Sequence, residues 1–197
     1  MSHDGSRLYV LATRANAGEP ISGKGNPILF PKTCKKGTSG ILAILDVTKA
    51  EGDSDPVLAR VAAGCSPVRM TESSDGATLW VSAREDDRIL AFDSKLLELD
   101  PDGALIGHLP SGGAAPVGIQ LFARDRLLAV ANSNRYDPND AGNLAILDVT
   151  EPSAMALIKT LPAGAFAREV SVGADDATLY LTNANSRTFQ VVTTVVR

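Results

Sequence analysis

Four arginines and four asparagines stand in short segments between strand-like runs: Arg69, Arg84, Arg135 and Arg168, with Asn132, Asn134, Asn183 and Asn185. A guanidinium is a planar fork of donors that grips carboxylate or phosphate oxygens two at a time. This set therefore points to an anionic small molecule, a glycan or a protein partner. The competing reading is that the arginines pair with Glu85, Asp86, Asp87, Asp137 and Glu169 and only organise loops. Glu72 is an acid where the aligned positions, Leu121 and Val172, are apolar. A buried carboxylate can serve as a general acid or base, which makes Glu72 a candidate catalytic group and Arg69, on the same run, its candidate partner. A strand end that is not fully buried is the alternative. Cys34 and Cys65 lack CxxC spacing, so no thiolate zinc site is expected. Either a disulfide or two unrelated thiols fits them. His3 and His108 are far apart and outside any HxxxH pattern, so no metal site is expected, and His108 reads as a surface residue. No GxSxG, GxGxxG or Walker loop occurs. The segment GEPISGKGNP at 18–27 carries Lys24 but lacks a GK[ST] ending and a following helix. It reads as part of a flexible insertion, and no cofactor is expected.

Composition narrows the classes further. The chain has 197 residues, 44% hydrophobic and 21% charged, with a formal net charge of −4. An acidic balance and 5% aromatics argue against nucleic acid, which needs basic stripes and stacking platforms. No apolar run approaches the roughly 18 residues of a membrane helix, and the first residues do not read as a signal peptide.

The elements that must hold these residues repeat. LAILDVT occurs at 42–48 and again at 144–150. DGSRLYV at 4–10, DGATLWV at 75–81 and DDATLYL at 175–181 form one set, with RDRLLAV at 124–130 a weaker member. Aligned on Leu8, Leu79, Leu128 and Leu179, the spacings are 71, 49 and 51 residues. One unit is thus about 50 residues, with an insertion of roughly 14–39 in the first. Each unit reads as short β-rich bursts a, b, c and d bounded by Gly, Pro, Asp and Asn. The units are about 1–66, 67–115, 116–166 and 167–197. An antiparallel four-stranded sheet repeated at this interval is the unit of a β-propeller. A β-sandwich gives no reason for the repeat.

SPVRMTESSDGATLWVSAREDDRILAFD at 66–93 resembles the YVTN-type β-propeller repeat, as does 167–194. GAFARE at 164–169 and ANSNRY at 131–136 resemble loops of the same family, with Ala167 where those members carry proline. The resemblance implies an all-β propeller, commonly seven-bladed and often extracytoplasmic. It is similar to the lactonase-like superfamily, which contains 6-phosphogluconolactonase as well as non-enzymatic surface and binding proteins.

Counting bursts gives b-c-d, a-b-c-d, a-b-c-d and a-b-c. Four blades of this kind read as part of a seven-bladed ring, with a compact four-bladed ring as the alternative. A partial ring leaves apolar blade faces uncovered, which predicts self-association. The d–a and b–c loops of a propeller share one face, and on that face the arginines and asparagines collect. A Cys34–Cys65 disulfide would pin the insertion over the channel mouth. The leading expectation is a non-enzymatic binding or scaffold protein that presents this rim to an anionic ligand. The alternative is a lactonase-like hydrolase of sugar lactones. A quinone-dependent oxidoreductase is a distant third, because the single Trp80 supplies no tryptophan docking pattern.

Overall fold

The computed structural model describes residues 1–16, 18, 20–31, 34, 39–50, 52, 54–137 and 141–194. The remaining parts of the 14–39 insertion and of the last unit lie outside the described residues. Four antiparallel sheets follow one another along the chain. Blade 1 is β1 (Arg7–Ala12), β2 (Ile41–Asp46) and β3 (Val57–Ala62). Blade 2 is β4 (Pro67–Glu72), β5 (Thr78–Ala83), β6 (Arg88–Asp93) and β7 (Leu105–Pro110). Blade 3 is β8 (Pro116–Phe122), β9 (Leu127–Asn132), β10 (Asn143–Asp148) and β11 (Ala156–Pro162). Blade 4 is β12 (Ala167–Val172), β13 (Thr178–Asn183) and β14 (Thr188–Thr193). These are the a-to-d bursts of the sequence, in the same order. A short helix α1 (Leu96–Leu99) in blade 2 was not among the expected elements. Asp93 Oδ1 starts it by accepting from the backbone N–H groups of Lys95 and Leu96, both at 2.9 Å. Leu97 on it is fully buried.

Period-two alternation sends successive side chains of each strand to opposite sheet faces. Here both faces of the middle blades are covered, which is why β5 is buried along its whole length. Leu79 and Val81 pack toward blade 1 with Tyr9, Leu42 and Ile44. Trp80, Ile89 and Ala91 turn to blade 3 and meet Leu128 and Val130. Ala129, Leu144 and Ile146 turn the other way and meet Leu179 and Leu181 of blade 4. The inner strands pack in the series β1, β4, β8, β12. The closest approach is β8 on β12. A Cβ at Gly118 would stand 2.6 Å from the Arg168 carbonyl oxygen, so only glycine permits it. No contact of comparable extent joins β12 back to β1 among the described residues. The arc is open.

The insertion is placed differently from the sequence expectation. Its described part is anchored rather than loose, and it runs along the outer edge of blade 1. Ser22 bridges Val61 of β3 in parallel, the Leu29 carbonyl accepts from Gly64 N–H, and Asp102 accepts from Gly23 N–H. Leu29 is fully buried in the core between blades 1 and 2, so an apolar plug holds the segment that its glycines suggested was flexible.

The turn before β1, the a–b hairpins of blades 2 and 4, and several c–d turns are each organised by an aspartate accepting hydrogen bonds from its own turn. Asp4 is held at about 2, chiefly by the Ser6 backbone N–H and the Ser2 and Ser6 hydroxyls. Asp75 is lowered by the Ser73 hydroxyl, Asp175 by the Thr178 hydroxyl and Asp46 by the Thr48 hydroxyl. A carboxyl with a depressed folded pKa stabilises the fold above its unfolded value and loses that contribution as pH falls through the folded value. These turns therefore predict a urea midpoint that is flat from neutral pH down to about 4 and falls steadily from there toward 2. Equilibrium unfolding across that range checks it.

Candidate functional site

The d–a and b–c loops do converge on one end of the arc, around a cavity of about 490 Å³. Arg69, Arg84, Arg135 and Arg168 all line it, with Leu11, Val117 and Phe166 supplying apolar wall. Arg69 stands on β4 and Arg168 on β12, while Arg84 and Arg135 follow β5 and β9. Successive blades thus deliver one or two guanidinium groups each to the same space.

Of the expected carboxylate partners, Glu169 forms an ion pair with this cluster. It takes Arg69 Nη2 at 3.3 Å, reaching from blade 4 to blade 2. Both side chains are about half exposed, so this pair is weak. Asp86 and Asp87 are occupied otherwise: they accept from the backbone N–H groups of Cys65 and Ala115. Burial pushes the Asp86 carboxyl above its ordinary value, opposed by the Cys65 N–H. Arg84 donates to Ser66 Oγ at 2.7 Å, and its Nε is buried without an acceptor. Burial raises the neighbouring Tyr136 hydroxyl, which Arg84 and Arg135 partly offset. Four guanidinium groups thus gather at one end of a chain whose formal net charge is −4.

Two of the four asparagines do other work. Asn132 and Asn183 are each 1% exposed. They end β9 and β13, where they tie strand b to strand c. Asn132 Nδ2 donates to Asn143 Oδ1 at 2.9 Å and to the Ser111 carbonyl at 3.0 Å. Asn183 Nδ2 donates to Gln190 Oε1 at 2.7 Å and Thr188 Oγ1 at 3.1 Å. Asn134 adopts φ 45° and lines a separate hollow with Gly142 and Asn143. Asn185 is exposed and is fixed through its backbone N–H to Ala165. None of the four lines the arginine cavity.

Glu72 and Arg69 are not partners. Arg69 is at the mouth, and Glu72 lies at the far end of β4, lining a hollow with Ser2, His3 and Tyr9. Glu72 Oε2 accepts from His3 N–H at 3.0 Å, with His3 Nδ1 at 3.4 Å. The reason for an acid here lies in the neighbouring blades. Asp125 accepts from Ser74 N–H at 2.6 Å, and Asp176 accepts from Ala123 N–H at 3.0 Å and Arg124 N–H at 2.6 Å. His3, Ser74 and Ala123 are equivalent positions of successive a–b turns, so each turn is latched by a carboxylate of the following blade. Asp125 and Asp176 sit in the left-handed region at φ 59° and 53°. The blade 2 position equivalent to them is Gly76, which has no carboxylate, and Glu72 supplies one from four residues earlier.

Cys34 and Cys65 are joined in a disulfide, and no free cysteine exists. It ties the insertion to the loop preceding β4, whose Ser66 holds Arg84. The described residues of the insertion are not among those lining the mouth. His108 is exposed and receives Arg88 at 2.8 Å. Burial and that cation hold its pKa below the ordinary value. No cluster of three potential metal ligands exists among the described residues.

No family model and no curated protein matches the chain. Solved structures do. The Pseudomonas aeruginosa periplasmic gluconolactonase aligns with TM-score 0.63 and 15% identity over 99% of this chain and 65% of that one. A candidate 6-phosphogluconolactonase from Bacteroides uniformis gives 0.60 and 16% over 82% and 49%. Hydrazine synthase from Kuenenia stuttgartiensis gives 0.61 and 14% over 100% and 58%. The chain is a partial β-propeller. It spans about half to two thirds of the length of these structures.

The latch reading of Glu72 predicts that Glu72→Leu lowers stability by about 1.5–3 kcal/mol, the worth of a hydrogen bond to a charged acceptor. Adding Gly76→Asp, in a left-handed position that aspartate occupies in blades 3 and 4, restores most of that loss. Asp176→Ala, which frees two N–H groups, costs more than Glu72→Leu. Urea unfolding of the variants checks all three, and a Glu72→Leu protein more stable than the parent would contradict the latch.

Proposed function

We propose that the arginine-lined mouth binds an anionic sugar-acid-type small molecule and that the chain carries the substrate-binding side of a lactonase-like hydrolase. One observation carries this reading: four guanidinium groups surround one cavity of about 490 Å³. A site with surplus positive charge and apolar wall suits a ligand with negative charge and a carbon skeleton. The likeness of fold to a gluconolactonase supports hydrolysis over simple binding.

The chemistry available is electrostatic. A guanidinium within reach of a lactone carbonyl stabilises the oxyanion that develops as water adds. Glu169 is the carboxylate at the mouth able to take the water proton. The ring C–O bond then breaks, and that proton goes to the departing alkoxide, leaving an open hydroxy acid. Glu72 is excluded from this step by its place at the other end of β4. Glu169 came into view from the sequence only as a competing partner of the arginines. Its position next to Arg168 on an inner strand is the signal that marks it. The disulfide supports an oxidising, extracytoplasmic compartment. Among the described residues, no helix is long and apolar enough to cross a membrane.

Calorimetric titration with gluconate and 6-phosphogluconate tests binding, and a pH-stat assay on gluconolactone tests turnover above the spontaneous rate. Arg84→Ala and Arg168→Ala should each weaken binding about tenfold, or ~1.4 kcal/mol. Glu169→Gln should retain binding and lose turnover. Saturable binding without turnover would return the protein to the non-enzymatic reading, and absence of binding to either anion would sink both.

A further inference from the structure

The residue before strand a sits in the same left-handed turn in blades 2, 3 and 4. Ser66, Ala115 and Phe166 have φ 55°, 53° and 56°. The carbonyl of each accepts the backbone N–H of the residue after strand b, which is Arg84, Ser133 and Ala184 in turn. The main chain alone therefore sets this turn, and its side chain is free to differ. Ser66 uses its hydroxyl to take Arg84 at 2.7 Å. Ala115 is buried and adds no polar group. Phe166 places a phenyl ring there.

A left-handed backbone is unfavourable for residues other than glycine, and most of all for a bulky one. Core packing does not account for the ring. Phe166 is half-buried and belongs to none of the three apolar cores. It lines the arginine mouth instead, as does Arg168 two residues on. Glu169 follows directly and pairs with Arg69 of the same mouth. Ring, cation and carboxylate thus come from one four-residue step, 166–169. A bulky residue held in a disfavoured conformation at a cavity wall, outside every core, points to a role in what the cavity holds.

We propose that Phe166 is a specificity-determining residue of the mouth: its ring packs against the C–H face of a cyclic sugar acid, so the site holds a ring in preference to an open chain of the same charge. The inference rests on the proposed binding of a sugar-acid anion at this mouth. The guanidinium groups answer the charge of the ligand, which ring and open chain share. The face of a phenyl ring is the negative side of its quadrupole and takes C–H groups that carry partial positive charge. A pyranose or lactone ring presents several such groups on one side, whereas an open-chain polyol has no fixed face. Opening a lactone adds a carboxylate that the arginines hold. Loss of the Phe166 contact works against that hold and favours release of the product.

Calorimetric titration of the full chain with glucuronate and gluconate tests the proposal, since both are six-carbon acids with one carboxylate and only the first forms a pyranose ring. Inorganic phosphate is the probe of charge alone. Glucuronate is expected to bind about fivefold more tightly than gluconate. Phe166→Ala should bring the two within about twofold of each other and leave the affinity for phosphate unchanged. Ala115 shows that alanine suits this turn. If circular dichroism finds Phe166→Ala unfolded, Phe166→Gly, which suits a left-handed backbone better still, replaces it. Equal affinity of the parent for the two acids would overturn the proposal. So would a Phe166→Ala protein that binds glucuronate, gluconate and phosphate all more weakly by the same factor. In both cases anion binding survives and the arginine reading of the mouth stands. A parent that binds none of the three overturns that reading and this proposal together.

Discussion

Burial of one blade's face against the next is the interaction on which everything else in this molecule rests. A single antiparallel sheet of three or four strands with apolar residues on both sides has no stable existence in water, and stacking such sheets removes both faces from solvent at once. Burying a leucine- or phenylalanine-sized side chain contributes about 1.5–3 kcal/mol. Trp80, Ile89, Leu128 and Leu144, all essentially inaccessible, therefore outweigh any hydrogen bond or ion pair in the arc. The carboxylate latches of Asp125, Asp176 and Glu72 add direction to that attraction. They fix which turn faces which, because each latched backbone N–H donates to a carboxylate of the following blade.

The functional end inherits its geometry from this stacking. Gly118 lets β12 approach β8 closely, which brings Arg168 round to the space already lined by Arg69 and Arg84. No loop had to be designed for the cluster as a whole. Blades 2, 3 and 4 each set one or two arginines at this end, and the rotation between blades gathers them. The disulfide and the Leu29 plug hold the Ser66 loop that positions Arg84.

Strands, their order and the blade count were legible in the sequence because alternation and repetition are local signals. LAILDVT appears twice for the simple reason that β2 and β10 occupy equivalent places. The convergence of the four arginines was legible for the same reason, once their loops were assigned to one end. Several features needed three dimensions. Asn132 and Asn183 look like rim residues by position, yet each is the last residue of a strand b and turns inward to bind strand c. Glu72 looks out of place within its own blade and makes sense only beside Gly76 and the aspartates of blades 3 and 4. The insertion looked flexible from its glycines, and Leu29, the fully buried residue that anchors it with Ile21, Ile28 and Phe30 packed beside it, carries no periodic signal. The disulfide was one of two open readings, since sequence spacing says nothing about whether two loops meet.

Amide hydrogen exchange on the dilute monomer tests the stacking account most directly. Blades covered on both faces should open only with the whole molecule, and blades covered on one face should open alone. The account predicts the slowest exchange in β5, β6, β9 and β10, and exchange faster by orders of magnitude in β1, β13 and β14. Uniform protection across all four blades would contradict it.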